Sequence, residues 1–209
     1  MFHSAEIRWF VAGAADADVE SWFRASPLVK DEDTRIDAYL LMPGCPTCGV
    51  KIREGHVEVK AEVTRPESVD YANGLAGRRS SWVKWSSGIA GAPILEERRG
   101  PERWVQVEKS RTLRLFAADD AVEERPAQER IEGAGCLVEL AALRVLRDGD
   151  DWSEAEPWWG VCLEAFAEPP AVLATLDRVA AAAALAPLAE RLPRVVSMSY
   201  PEWLLRLGA

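Results

Sequence analysis

Histidine is nearly missing from this chain of 209 residues: only His3 and His56 occur, and neither has a neighbour spaced for a metal site or a nucleophile–base pair. That scarcity leaves Ser- or His-centred nucleophilic catalysis without support. Cysteine is sparse too. Four in a chain of this size do not make a disulfide scaffold, and in a reducing cytosol they are expected to stay as thiols or to bind metal. No stretch approaches the roughly 20 uninterrupted apolar residues of a membrane helix. No glycine-rich loop of the phosphate-cradling kind stands before a helix. The opening residues, MFHSAEIRWFVAG, lack a basic lead and carry Glu6 and Arg8 inside their apolar run, unlike a secretory signal or a transit peptide. The expectation is a cytoplasmic protein with no membrane segment.

Positive charge is in the minority overall. A net charge of −9 argues against general binding to nucleic acid or anionic membrane, because both require clustered Lys and Arg. The distribution says more than the sum. From Lys51 to Leu115 thirteen Lys and Arg stand against nine Asp and Glu, which makes the middle a basic zone in an acidic chain. The length favours a single domain, residues 1–209, with one sizeable core.

Strand signals dominate the first three quarters. Ala5–Ala12, Thr34–Met42, Cys48–Arg53, His56–Val63, Ser81–Ser86, Trp104–Ala117, Gly135–Leu146 and Trp158–Ala167 show period-two alternation between Gly, Pro or Asp boundaries. Glu54-Gly55 joins two of them as a tight hairpin in which the glycine supplies a positive φ. Helical spacing is confined to Ala14–Ser26, with Asp16 or Asp18 as N-cap, to Glu168–Leu192, which Pro187 should kink or break, and to a short closing piece, SYPEWLLRL. Thr64–Ser80, Ser87–Arg103, Asp119–Ala134 and Arg147–Pro157 read as solvated loops. Many strands followed by one long helical stretch predict an α+β protein with an antiparallel sheet.

The stretch CPTCGVKIREGHVEVK poses the central question of function. Cys45 and Cys48 have the spacing of half a zinc ribbon, but no second knuckle follows, since Cys136 and Cys162 are single and lie inside strand-like runs. A redox pair would want its first cysteine at a helix N-terminus, whereas a strand follows here. Two thiols in a turn is the expectation, with zinc at Cys45/Cys48 disfavoured. The nine tryptophans, including the pairs Trp82/Trp85 and Trp158/Trp159, are expected mainly in the core.

The charged alternation after the turn carries more. Lys51 and Arg53 share a strand face opposite Val50 and Ile52; Glu58, Lys60 and Glu62 oppose Val57, Val59 and Ala61; Glu6 and Arg8 oppose Ile7 and Trp9; Arg35 and Asp37 oppose Ile36 and Ala38; Lys84 opposes Val83 and Trp85. In Trp104–Ala117 the polar set Gln106, Glu108, Thr112 and Arg114 opposes valines and leucines, and Lys109 and Arg111 break that order in a way that suggests a bulge. A half-buried sheet with a wet polar face would account for charges as such. Two features favour an enclosed charged face instead. Long ionic side chains of both signs stand on nearly every strand, and Glu139 and Glu164 lie in runs so apolar that an unpaired carboxylate there would be costly. A sheet curled with its charges inside becomes a barrel or tunnel covered by helices. Its lining suits a small polyanion, held by Lys and Arg, together with Mg²⁺ or Mn²⁺ held by carboxylates.

In this order of elements the chain resembles the CYTH or triphosphate tunnel superfamily. The resemblance rests on a first strand with Glu, VKIREG followed by HVEVK, WVKW, VEKSRTLRLF, LVELAALRV, VCLEAF and a closing helix. It implies an eight-stranded antiparallel tunnel and metal-dependent hydrolysis of a triphosphate- or polyphosphate-like anion. By position it implies that Lys51, Arg53, Lys60, Lys84 and Arg111 or Arg114 bind phosphate, with Glu6, Glu139 and Glu164 as metal ligands; Arg8 and Lys109 complete the candidate anion-binding set. The family's Glu-x-Glu-x-Lys signature stands here as Glu6-Ile7-Arg8-Trp9-Phe10, with a cation at the second Glu and an aromatic at the Lys, so weaker divalent binding is expected. The alternative is a non-catalytic anion-binding or protein-interaction module on the same fold.

Overall fold

The structure is a computed structural model that describes residues 1–88, 104–146, 153 and 155–208. Eight long strands close into an antiparallel barrel: β1 (Phe2–Ala12), β2 (Lys30–Leu40), β3 (Cys48–Arg53), β4 (His56–Glu62), β6 (Ala76–Gly88), β7 (Trp104–Ala117), β9 (Gly135–Leu146) and β10 (Pro157–Phe166). Round the barrel they run β1-β10-β9-β7-β2-β3-β4-β6, and β6 returns to β1 with Glu6 opposite Ser80 and Ile7 opposite Arg79. Closure leaves these strands without a free edge. Two short strands extend the wall, β5 (Glu67–Asp70) on β6 and β8 (Glu123–Arg125) on β7. The helices are α1 (Ala17–Arg24), α2 (Val172–Ala180), α3 (Ala186–Ala189) and α4 (Tyr200–Gly208). The α+β barrel with flanking helices and a C-terminal helix is the fold that the alternation predicts.

The same alternation decides which side of each strand meets which core. Outward residues of β1, β9 and β10, among them Ile7, Trp9, Val138, Val161 and Leu163, pack under Leu176 and Val179 of α2 and Leu188 of α3. This is the larger core, and Trp9 is pinned within it by its indole N–H donating to the Ala76 carbonyl at 3.1 Å. A second core lies inside the barrel. There Phe10, Val105, Val107, Ala141 and Leu143 surround Trp203 and Leu204 of α4, and the Phe10 and Trp203 rings stack at 4.3 Å between centroids. Helix α4 therefore closes part of the barrel interior, and the inward side of the strands is apolar beneath it.

Local expectations are met where the signals are short-range. Asp16 caps α1, its carboxylate accepting from the backbone N–H groups of Asp18 and Val19. Glu54 and Gly55, with φ of 47° and 74°, form the two-residue turn between β3 and β4, and both central residues have the positive φ that suits a twisted hairpin.

Three expectations need correction. β7 has no bulge: it pairs with β9 without interruption from Gln106 to Ala117, and the register shift lies on the facing strand β2, between Glu32 and Arg35. Lys109 and Arg111 thus share the inward face with Val105 and Val107, which are apolar because α4 lies on them. The segment Glu168–Leu192 breaks at Ala181-Ala182, a turn before Pro187, because proline cannot continue a helix through the carbonyl four residues back and is accepted only in the first turn of α3. Asn73 stabilises the break by donating its side-chain amide to the carbonyls of Ala180 and Ala182 at 2.8 and 2.9 Å. Finally, Thr64–Ser80 and Asp119–Ala134 hold β5 and β8, short edge strands with little apolar alternation to announce them. Of the other two expected loops, residues 89–103 and 147–152 lie outside the described residues.

Trp203 is 1% exposed and fills the barrel interior. Trp203→Ala should cost about 3–5 kcal/mol of stability, read as a lower urea midpoint at unchanged slope.

Candidate functional site

Above the apolar plug the barrel holds a cavity of about 170 Å³, room for several water molecules. Ten of the eleven residues singled out from the sequence line it: Arg8, Lys51, Arg53, Lys60, Lys84, Lys109, Arg111, Glu6, Glu139 and Glu164. Each stands on the inward side of its strand, and with Arg35 supplied by β2 all eight barrel strands contribute at least one charged group. Arg114 is the exception. It points outward, donates to both carboxylate oxygens of Glu124 at 2.8 and 2.7 Å and lies 3.8 Å over the Trp22 ring, where it fastens α1 and β8 to the wall.

Glu139 is the centre of the ionic lining. Its carboxylate accepts from Lys109 Nζ at 2.7 Å, Arg111 Nη1 at 3.0 Å and Arg8 Nη1 at 3.2 Å. Burial pushes its carboxyl up, but the charges of Lys109, Arg8 and Arg111 outweigh that and hold it well below the usual range. Lys109 experiences the opposite balance. Burial drives its ammonium down, Glu139 opposes this, and the adjacent Arg8 and Arg111 charges reinforce it, leaving the pKa at about 8. One carboxylate shared by three cations cannot fully compensate each of them.

Glu6 and Glu164 face one another in the β1–β10 register and share the ammonium of Lys60, which lies 3.1 Å from Glu164 Oε1 and also bonds Glu6. Their environments differ. Burial and the neighbouring Glu164 charge raise Glu6 despite Lys60, whereas at Glu164 the Lys60 and Arg8 charges overcome burial and bring the pKa to about 2. Further round the wall Lys51 bridges Asp37 at 3.1 Å and Glu58 at 3.2 Å, and Arg53 donates to Glu58 at 2.9 Å. Arg111 also bonds Glu32, and Arg35 contacts Asp37 at 3.3 Å. Lys84 is different: no carboxylate among the described residues lies within ion-pair distance, and its ammonium stands 5.4 Å from the Phe2 ring.

The sequence reading passed over several members of this lining. Arg35, Asp37 and Glu58 were visible in the alternation but not singled out, and the rule that an inward Lys on one strand needs an inward acid on the next would have selected them. Tyr39 and Tyr200, stacked at 4.8 Å, meet only because α4 enters the barrel, which no local pattern indicates. Cys45, in the turn before β3, and Cys48, the first residue of that strand, are free thiols that line the cavity. No cluster of three or more His, Cys, Asp or Glu side chains placed to hold a metal occurs among the described residues. Neither a protein-family model nor a curated protein sequence matches this chain.

Two outcomes follow from the ionic lining. Glu139→Gln should cost about 3–5 kcal/mol in urea unfolding, because three buried cations lose their common partner. For Glu164, a folded pKa of about 2 against an ordinary 4.5 means that its stabilisation is complete above about pH 4.5 and is lost as pH falls toward 2. Glu164→Gln should flatten the stability profile across that window in acid titration followed by circular dichroism.

Proposed function

We propose that the barrel binds a small polyanion of the phosphate or polyphosphate class. The surplus of positive charge in the cavity carries this reading. Eight Lys and Arg line it against four Glu, and counting Asp37, Glu32 and Glu54, which pair with them from outside the cavity, still leaves one cation in excess among the described residues. An excess of enclosed charge is costly and is relieved by an anion. Two buried donors add to the case, since Arg8 Nε and Arg111 Nε have no hydrogen-bond acceptor among the described residues. Guanidinium and ammonium groups converging from several strands offer the forked and point-charge contacts that phosphoryl oxygens accept. The resemblance to triphosphate tunnel proteins supports the polyphosphate class through the same closed barrel and its inward Lys and Arg.

The Mg²⁺ or Mn²⁺ that this resemblance implies does not fit the donor set. Lys60 already lies between Glu6 and Glu164, and Glu139 accepts from three cations, so each expected ligand carboxylate is already engaged by the protein's own cations. The proposed function is anion binding, without a hydrolytic step.

Titration calorimetry with tripolyphosphate should give saturable binding in the absence of divalent metal, weakening as salt rises. Lys84→Ala, which breaks no ion pair among the described residues, should reduce affinity about tenfold, the scale of one charge-assisted hydrogen bond. The lysine at about pKa 8 adds a signature. Affinity should fall as pH rises through that value, because deprotonated Lys109 no longer attracts the anion, and Lys109→Met should flatten the dependence. Absence of binding at millimolar tripolyphosphate, or phosphate release that requires Mg²⁺ or Mn²⁺, would overturn the proposal.

A further inference from the structure

We infer that the ligand is amphipathic: a phosphate- or polyphosphate-bearing small molecule whose apolar substituent lies against α4 and the end of β2. The inference rests on the anion-binding reading and specifies the other half of the molecule. The cavity that Arg8, Lys60 and Lys84 line is continuous with a wall made by Leu40, Leu41 and Met42 after the charged part of β2, and by Pro201 and Leu205 of α4. These five residues are only half-buried although they border an enclosed space. Apolar surface held open inside a cavity is unfavourable, and in a folded protein it marks a place where an apolar group is received. An inorganic anion would leave that wall wet.

The two halves meet at an aromatic pair. Tyr39 and Tyr200 stack between them, with Lys51 5.7 Å from the Tyr39 ring and Arg8 and Lys109 at 5.4 and 5.7 Å from the Tyr200 ring. Aromatic rings tolerate both a cation on the face and an alkyl group at the edge, so they suit the junction between an anionic head and an apolar tail. A wholly apolar ligand would leave the surplus positive charge uncompensated. A wholly ionic one would leave the α4 wall uncovered. One molecule carrying both parts satisfies both constraints.

The test compares dissociation constants for inorganic phosphate and for methyl, butyl and octyl phosphate, below micelle-forming concentrations, with octylamine as a head-group control. Affinity should rise about two- to fourfold for each methylene that enters the cavity, and octylamine should bind far more weakly than octyl phosphate. Leu205→Asn, which adds no charge, should lower the ratio of octyl phosphate affinity to inorganic phosphate affinity toward one. Met42→Gln, on a different element, should do the same and stands in should the first variant not fold. Phosphate binding with no gain from the alkyl chain would overturn this inference and leave the anion-binding reading intact. Octylamine binding as tightly as octyl phosphate, or no binding of any phosphate, would overturn both.

Discussion

The ionic interior depends on a single carboxylate. Glu139 comes from β9, and its three cationic partners come from β1 and β7, on either side of it in the barrel order. Arg8 reaches it across β10, where both residues stand opposite Cys162, and Arg111 stands opposite Ala141, two residues along β9. The contact therefore exists only in this register. A slip of one residue would turn Arg8 or Glu139 toward the helices and leave charge in the outer core, at a cost of several kcal/mol for each buried ion. Ion pairing of this kind contributes less to net stability than to specifying one arrangement, and here the arrangement it specifies is a closed barrel with its charges facing one another.

Closure raises a second requirement, since the inside of an eight-stranded barrel must be filled. Part is filled by α4, whose Trp203 and Leu204 rest on Phe10, Val107 and Leu143. The remainder is left to the charged groups. The first strand shows how one sequence serves both parts. In Glu6-Ile7-Arg8-Trp9-Phe10 the inward residues are Glu6, Arg8 and Phe10, while Ile7 and Trp9 belong to the outer core. The inward side of this strand therefore changes character along its length: Glu6 and Arg8 belong to the ionic cavity, and Phe10 gives the apolar floor on which α4 rests.

Much of this was legible in the sequence because the information was local. Strict alternation in VKIREGHVEVK placed Lys51, Arg53 and Lys60 on one face, and the strands β3, β7 and β9 begin and end where the sequence suggested. What was hidden required long-range knowledge. Lys109 and Arg111 looked like a break in β7 because Val105 and Val107 share their face, and only the packing of α4 explains apolar residues inside a charged barrel. Arg114 has the composition of a site residue, yet its parity differs from that of Lys109 and Arg111 and takes it to Trp22 and Glu124 on the outside. The difference in parity was visible in the sequence, but not which parity faces the cavity. Glu139 and Glu164 were recognised as enclosed from their apolar surroundings, and that physical argument held, but nothing in their strands revealed that the compensating charges would be Lys and Arg.

The same network bears on which anions the cavity suits. Most of its cations already share a carboxylate, so a ligand oxygen has to compete with Glu139 or Glu58 for Arg and Lys donors that are partly satisfied. A monoanion would gain little from that exchange. A polyanion of the proposed class would touch several donors together, compensate the surplus positive charge, and supply acceptors to Arg8 Nε and Arg111 Nε without breaking the bonds their other nitrogens make to Glu139. Preorganised cations that are held apart by shared acids would lose little conformational freedom on binding. On that proposal, discrimination in favour of higher charge follows from how the barrel stabilises itself in the absence of ligand, because the carboxylates that make the interior tolerable also set the threshold an incoming anion has to exceed.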